Sequence, residues 1–197
     1  MTVLSFSIAL LLLACVTWQT LAWSNMADDY VKDACNVTQY QDLCIHSLAP
    51  FSKWARQDPC RWAQAAVSVT TDETKRVTHY VINLKKNETL RGTREQRTLS
   101  DCIECFGDSI DNLHKSLGEL RSLKSVTFDT QMKNVQTWMS AGLTSEDTCL
   151  DGFNGYKERQ VKNLCNRVLN VTYMNSNALA LVNKLAEDGG GSINTSP

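Results

Sequence analysis

The sequence has no excess of either charge: its formal net charge is -1 at pH 7. That balance removes the electrostatic case for a nucleic acid, an acidic lipid surface or a polyanionic polysaccharide held along a basic groove. It also lacks the short motifs that would place chemistry on it, with no G-x-S-x-G, no H-E-x-x-H, no phosphate-cradling glycine loop and no G-x-G-x-x-G. Histidine is scarce. His46, His79 and His114 are scattered, with no carboxylate or cysteine constellation around them, so neither a catalytic base nor a metal or other cofactor is expected. Cys102-Ile-Glu-Cys105 has metal or redox spacing, but a zinc site needs a second ligand pair and a thioredoxin-type site needs a strand running into a helix. Neither surrounds it, and a structural role is expected. No segment alternates polar and apolar as a strand does.

What is present begins with a leader. Met1 to Ala22 carries no charged side chain, and Leu4 to Val16 is an apolar run of secretory length, too short for a membrane span. Although the usual basic residue near Met1 is missing, 1–22 reads as a signal peptide cleaved near Trp23, which makes the mature protein secreted and free of a membrane anchor. Seven cysteines follow it: Cys35, Cys44, Cys60, Cys102, Cys105, Cys149 and Cys165. An oxidising compartment makes disulfides of such cysteines, and an odd number leaves at least one thiol free or paired between chains. Sequons at Asn36, Asn87, Asn170 and Asn194 suit a secreted glycoprotein surface.

The rest of the chain is long enough for one domain with one core. Residues 23–50 read as a short helical hairpin in which Thr38 and Gln41 form a capping box and Cys35 and Cys44 flank the turn. Asp58-Pro59 starts a first long helix, with Trp62, Ala66, Val69, Val77, Val81 and Leu84 on its apolar face to about Asn87. Gly92 breaks it, and a capping box of Thr93 and Gln96 opens a second helix ending near Leu123. Its seam is Leu99, Ile103, Phe106, Ile110, Leu113, Leu117 and Leu120, at alternating steps of four and three. Met132, Val135, Met139 and Leu143 mark a third helix, Asn154-Gly155 a turn, and Val161 through Leu185 a fourth. Trp62, Trp138, Met132 and Met139 suit core positions better than a cofactor box. Short connections predict an all-α, up-down-up-down four-helix bundle over 58–187, with a flexible tail at 188–197. That topology sets the start of helix two beside the end of helix three, and so predicts a Cys102–Cys149 bond. Cys105 and Cys165 fall at the same end and leave a second pairing open, with Cys60 as the odd thiol.

One surface stands out. Asp101, Glu104, Asp108 and Asp111 recur at steps of three, four and three, on a face of helix two turned away from its apolar seam. Most charge runs are solvated faces. Here, however, Glu104 and Asp108 have no Lys or Arg three or four residues away, while Asp111 has Lys115. Like charges at this spacing repel by a few tenths of a kcal/mol per pair, which a basic partner would offset.

Trp138-Met-Ser-Ala-Gly-Leu-Thr144 followed by Thr148-Cys-Leu-Asp-Gly-Phe153 resembles the plant invertase and pectin methylesterase inhibitor family. So do Cys35-Asn-Val-Thr-x-Tyr-x-x-Leu-Cys44, Leu99-Ser-Asp-Cys102 and Ser176-Asn-Ala-Leu-Ala-Leu181. The resemblance implies a non-enzymatic bundle with Cys35 paired to Cys44, Cys102 to Cys149, and Cys165 unpaired. It implies a monomer that binds pectin methylesterase in a one-to-one complex and covers the substrate cleft, acting in the cell wall or apoplast. The matching contact positions are Glu104, Asp108, Asp111 and Thr148. The Pro-Lys-Phe tripeptide characteristic of invertase inhibitors is absent, the corresponding stretch being Asn154-Gly-Tyr-Lys-Glu-Arg159. Pectin methylesterase is therefore the favoured target, with invertase the alternative and an inhibitor-like pro-region or folding module a third.

Overall fold

A computed structural model describes residues 28–86 and 92–189. The leader at 1–22, the sequons at Asn87 and Asn194 and nearly all of the expected tail lie outside the described residues. The described chain is all helical. It comprises α1 (28–35), α2 (Gln41–Leu48), a 3-10 turn Ala49–Phe51, α3 (Ser52–Ala55), α4 (Pro59–Lys86), α5 (Thr93–Arg121), a 3-10 turn Ser125–Thr127, α6 (Phe128–Gly152) and α7 (Arg159–Glu187). Helices α4 to α7 form the antiparallel bundle, each packed on its two neighbours around a ring, and α1 to α3 cap one end. Among the described residues no helix is long and apolar enough to cross a membrane.

Asp58 and Pro59 open α4 as expected, the Asp58 carboxylate accepting from the Arg61 backbone N–H at 3.1 Å. The two expected capping boxes are not formed. Thr38 Oγ1 donates to Cys35 O at 2.7 Å and closes α1 instead, while Tyr40 takes the cap position of α2. The backbone N–H and C=O of Tyr40 are both served by Asn177 of α7, at 3.0 and 2.9 Å. In α5 the cap is Gly92, whose carbonyl accepts from Gln96 N at 3.0 Å, so Thr93 already lies inside the first turn. That helix stops at Arg121 rather than Leu123. Buried Gln131 donates to Ser122 O at 3.0 Å and accepts from Lys124 N at 2.8 Å, which fixes the chain in a turn.

The seam of α5 is inward throughout, with Leu99, Phe106, Leu113, Leu117 and Leu120 buried and Ile103 and Ile110 half-buried. The core is not continuous, however. One apolar cluster, with Trp62, Leu113, Met139 and Leu185, takes in the hairpin; the other, with Val81, Phe106, Phe153 and Leu164, fills the far end. Between them lies a buried polar layer of Thr70, Thr71 and Thr74 from α4, Ser109 from α5, Glu146 from α6 and Asn175 from α7. A buried polar group costs free energy unless it is hydrogen-bonded, so this layer constrains which helix registers are allowed.

Two disulfides are formed, Cys35–Cys44 and Cys102–Cys149. The Cys105–Cys165 pairing left open by spacing is not formed, and three thiols rather than Cys60 alone are free. Cys105 and Cys165 do pack against the same apolar cluster, but α5 and α7 stand at opposite corners of the ring with α4 and α6 between them.

Candidate functional site

Asp101, Glu104, Asp108 and Asp111 are all exposed on α5, and among the described residues no ion pair holds any of them. Along a helix they span about 15 Å. The Cys102–Cys149 bond, with Cα atoms 4.5 Å apart, brings Thr148 of α6 to the level where that row begins. Thr148 is exposed, and its hydroxyl donates to Thr144 O at 2.7 Å. The four contact positions expected from resemblance are therefore all exposed, on two helices cross-linked at one end.

This exposed surface is wider than the sequence indicated. Thr144, Asp147 and Asp151 of α6 are also exposed, which adds negative charge beside the row of α5. Their signal was present as a polar run around Cys149, but only the packing of α5 on α6 brings the two helices together. Cys105 sits within the row, half-buried. Burial, with Asp108 and Asp101 beside it, pushes its thiol above the ordinary range and holds it neutral.

Nothing on this face converges as a catalytic site does. His46, His79 and His114 are exposed on separate helices, and no cluster suited to a metal ion occurs among the described residues. Two clefts lie instead at the hairpin end. One is lined by Arg56, Trp62 and Lys184, the other by Trp54, Gln64 and Arg121. Of the two described sequons, Asn36 is exposed in the turn after α1, whereas Asn170 is half-buried within α7 and donates to Met174 Sδ at 3.6 Å.

Fold and face together define a class: a small disulfide-stapled helical bundle with an exposed row of carboxylates on one helix. More particularly, the chain belongs to the plant invertase/pectin methylesterase inhibitor family, whose model matches residues 29–181. It is 46% identical over 162 residues to "Pectinesterase inhibitor 6" of Arabidopsis thaliana, covering 81% of this chain and 77% of that one. Against "Pectinesterase inhibitor 9" of the same plant it is 40% identical over 171 residues, with 82% of each chain covered. The fold matches a crystal structure of a mutant pectin methylesterase inhibitor from Arabidopsis with a TM-score of 0.62 at 18% identity, over 77% of this chain and 93% of that one. The chain is not an enzyme.

Proposed function

We propose that this protein is a secreted inhibitor of pectin methylesterase, with its inhibitor domain at 23–187. It binds one enzyme molecule in the cell wall through the α5–α6 face and bars pectin from the substrate cleft. The observation that carries the proposal is the exposed row Asp101, Glu104, Asp108 and Asp111, without an ion pair among the described residues, in a chain nearly half identical to a named pectinesterase inhibitor. Charge of one sign on a face speeds encounter with a basic partner and orients the docking. Glu104, Asp108, Asp111 and Thr148 are the contacts, and the rigidity of two cross-linked helices limits the entropy lost on binding.

Titrating the purified protein against a pectin methylesterase and an invertase in parallel tests the target; stoichiometric inhibition of the esterase alone is the expected result. Replacing Glu104, Asp108 and Asp111 together by Ala should weaken inhibition by about tenfold or more and flatten its salt dependence. Unchanged inhibition by that variant would remove the acidic row from the interface.

A further inference from the structure

Glu146 lies in the apolar stripe of α6, between Gly142 and Cys149, and is fully buried. Ser109 Oγ of α5 donates to its Oε1 at 2.8 Å, and Asn175 Nδ2 of α7 donates to the same oxygen at 3.1 Å. One carboxyl oxygen is thus held from two helices. The other, Oε2, is buried without a hydrogen-bond partner, and so is Asn175 Oδ1. Two buried acceptors can satisfy each other only if one of them carries a hydrogen.

Among the described residues no cation answers this carboxyl. From α5 it faces Ser109, from α7 it faces Asn175 and Thr172, and the charge acting on it is Asp147 of its own helix, of the same sign. At this level α4 buries only Thr70, Thr71 and Thr74. An unpaired buried charge is far more costly than a neutral acid. Gly142 lies against the same groups, since a Cβ there would stand 3.2 Å from Asn175 Nδ2 and 3.4 Å from Ser109 Oγ.

We infer that Glu146 is a positioning residue: a neutral acid whose Oε2–H bridges α6 to Asn175 of α7, fixing the register at which α6 presents Thr144 and Thr148 beside the acidic row of α5. When the proton leaves for solvent, the carboxylate loses that bridge and its charge is left buried, so the register loosens. The positioning half of this inference rests on the inhibitory face proposed above; the proton bridge does not. Burial raises the carboxyl from its ordinary 4.5 to about 8, with the Ser109 and Asn175 hydrogen bonds offsetting only part of the rise. The folded chain therefore holds the proton more tightly than the unfolded one. The stabilisation is complete below the unfolded value, declines as pH rises from there, and is lost above the folded value.

Thermal unfolding of the whole protein at pH 5, 7 and 9 tests the bridge without any enzyme. Glu146→Gln keeps the shape, supplies an N–H in place of the O–H and cannot ionise. Between pH 5 and 9 the midpoint of the natural protein should fall by roughly 10 °C more than that of the Gln variant. Glu146→Ala, which orphans Ser109 and Asn175, should be less stable at every pH. Parallel curves for Glu and Gln would overturn the bridge. Binding to immobilised pectin methylesterase tests the positioning: the Gln variant should keep at pH 9 an affinity that the natural protein loses. Equal loss by both would overturn the positioning while leaving the bridge to the unfolding curves. No binding by the natural protein at pH 5 would instead overturn the proposed face.

Discussion

Arg56 ends α3 with a backbone φ of 50° and ψ of -121°, a region that side chains with a Cβ rarely occupy. The surroundings hold it there. Its N–H donates to Ser52 O at 3.0 Å, and its carbonyl accepts from the Trp62 indole at 2.7 Å, so the turn and a core tryptophan hold this residue from both sides. Arg56→Gly should relieve the strain and stabilise the fold by about 1 kcal/mol, read as a higher unfolding midpoint. A lower midpoint would show that the arginine side chain, not the backbone, matters at this position. Arg56 gave no warning in the sequence, because an unusual φ at a non-glycine residue is imposed by tertiary packing. Glu146 was half visible: Met139, Gly142, Glu146 and Cys149 step by three, four and three, which puts a carboxylate in line with core residues. Its partners Ser109 and Asn175 come from other helices, and no local pattern joins the three.

Elements were the most legible scale. Periodicity located α4 to α7, because an amphipathic helix writes its buried face into the chain every three or four residues. Boundaries were less legible wherever distant groups decide them. Thr38 and Gln41 have capping-box spacing, yet Asn177 serves the backbone of Tyr40 from 137 residues away and leaves Thr38 free to close α1. The Cys102–Cys149 bond joins α5 to α6 across a separation of 47 residues. Replacing both cysteines by Ala should cost about 4 kcal/mol in the chain-entropy view, seen in denaturant unfolding as a lower midpoint. It should also weaken inhibition, because Thr148 and the row at 101–111 would no longer be held at one level. Full inhibition by the double variant would mean that packing of α5 on α6 suffices.

At the scale of the whole molecule, the hairpin and bundle are one packed unit. Val31, Cys35, Cys44 and Leu48 sit in the same apolar cluster as Trp62 and Leu185, Asn177 makes two hydrogen bonds to Tyr40, and Tyr40 stacks on Tyr173 at 4.0 Å between ring centroids. Asn177→Ala should orphan both backbone groups, cost about 2 kcal/mol and lower the unfolding midpoint by roughly 6 °C; an unchanged midpoint would mean that the apolar contacts alone dock the hairpin. Limited proteolysis should then cut between α1 and α2 first. By itself the sequence determined four amphipathic helices, a cysteine-stapled hairpin and a row of carboxylates on one helix, since each follows from spacing along a single element. Only the tertiary structure decided that the helix bearing the acidic row packs beside α6, that three thiols stay apart, and that a carboxyl is sealed in the middle of the core. Those depend on which helices are neighbours and at what register, and that is set by packing between segments far apart in the chain.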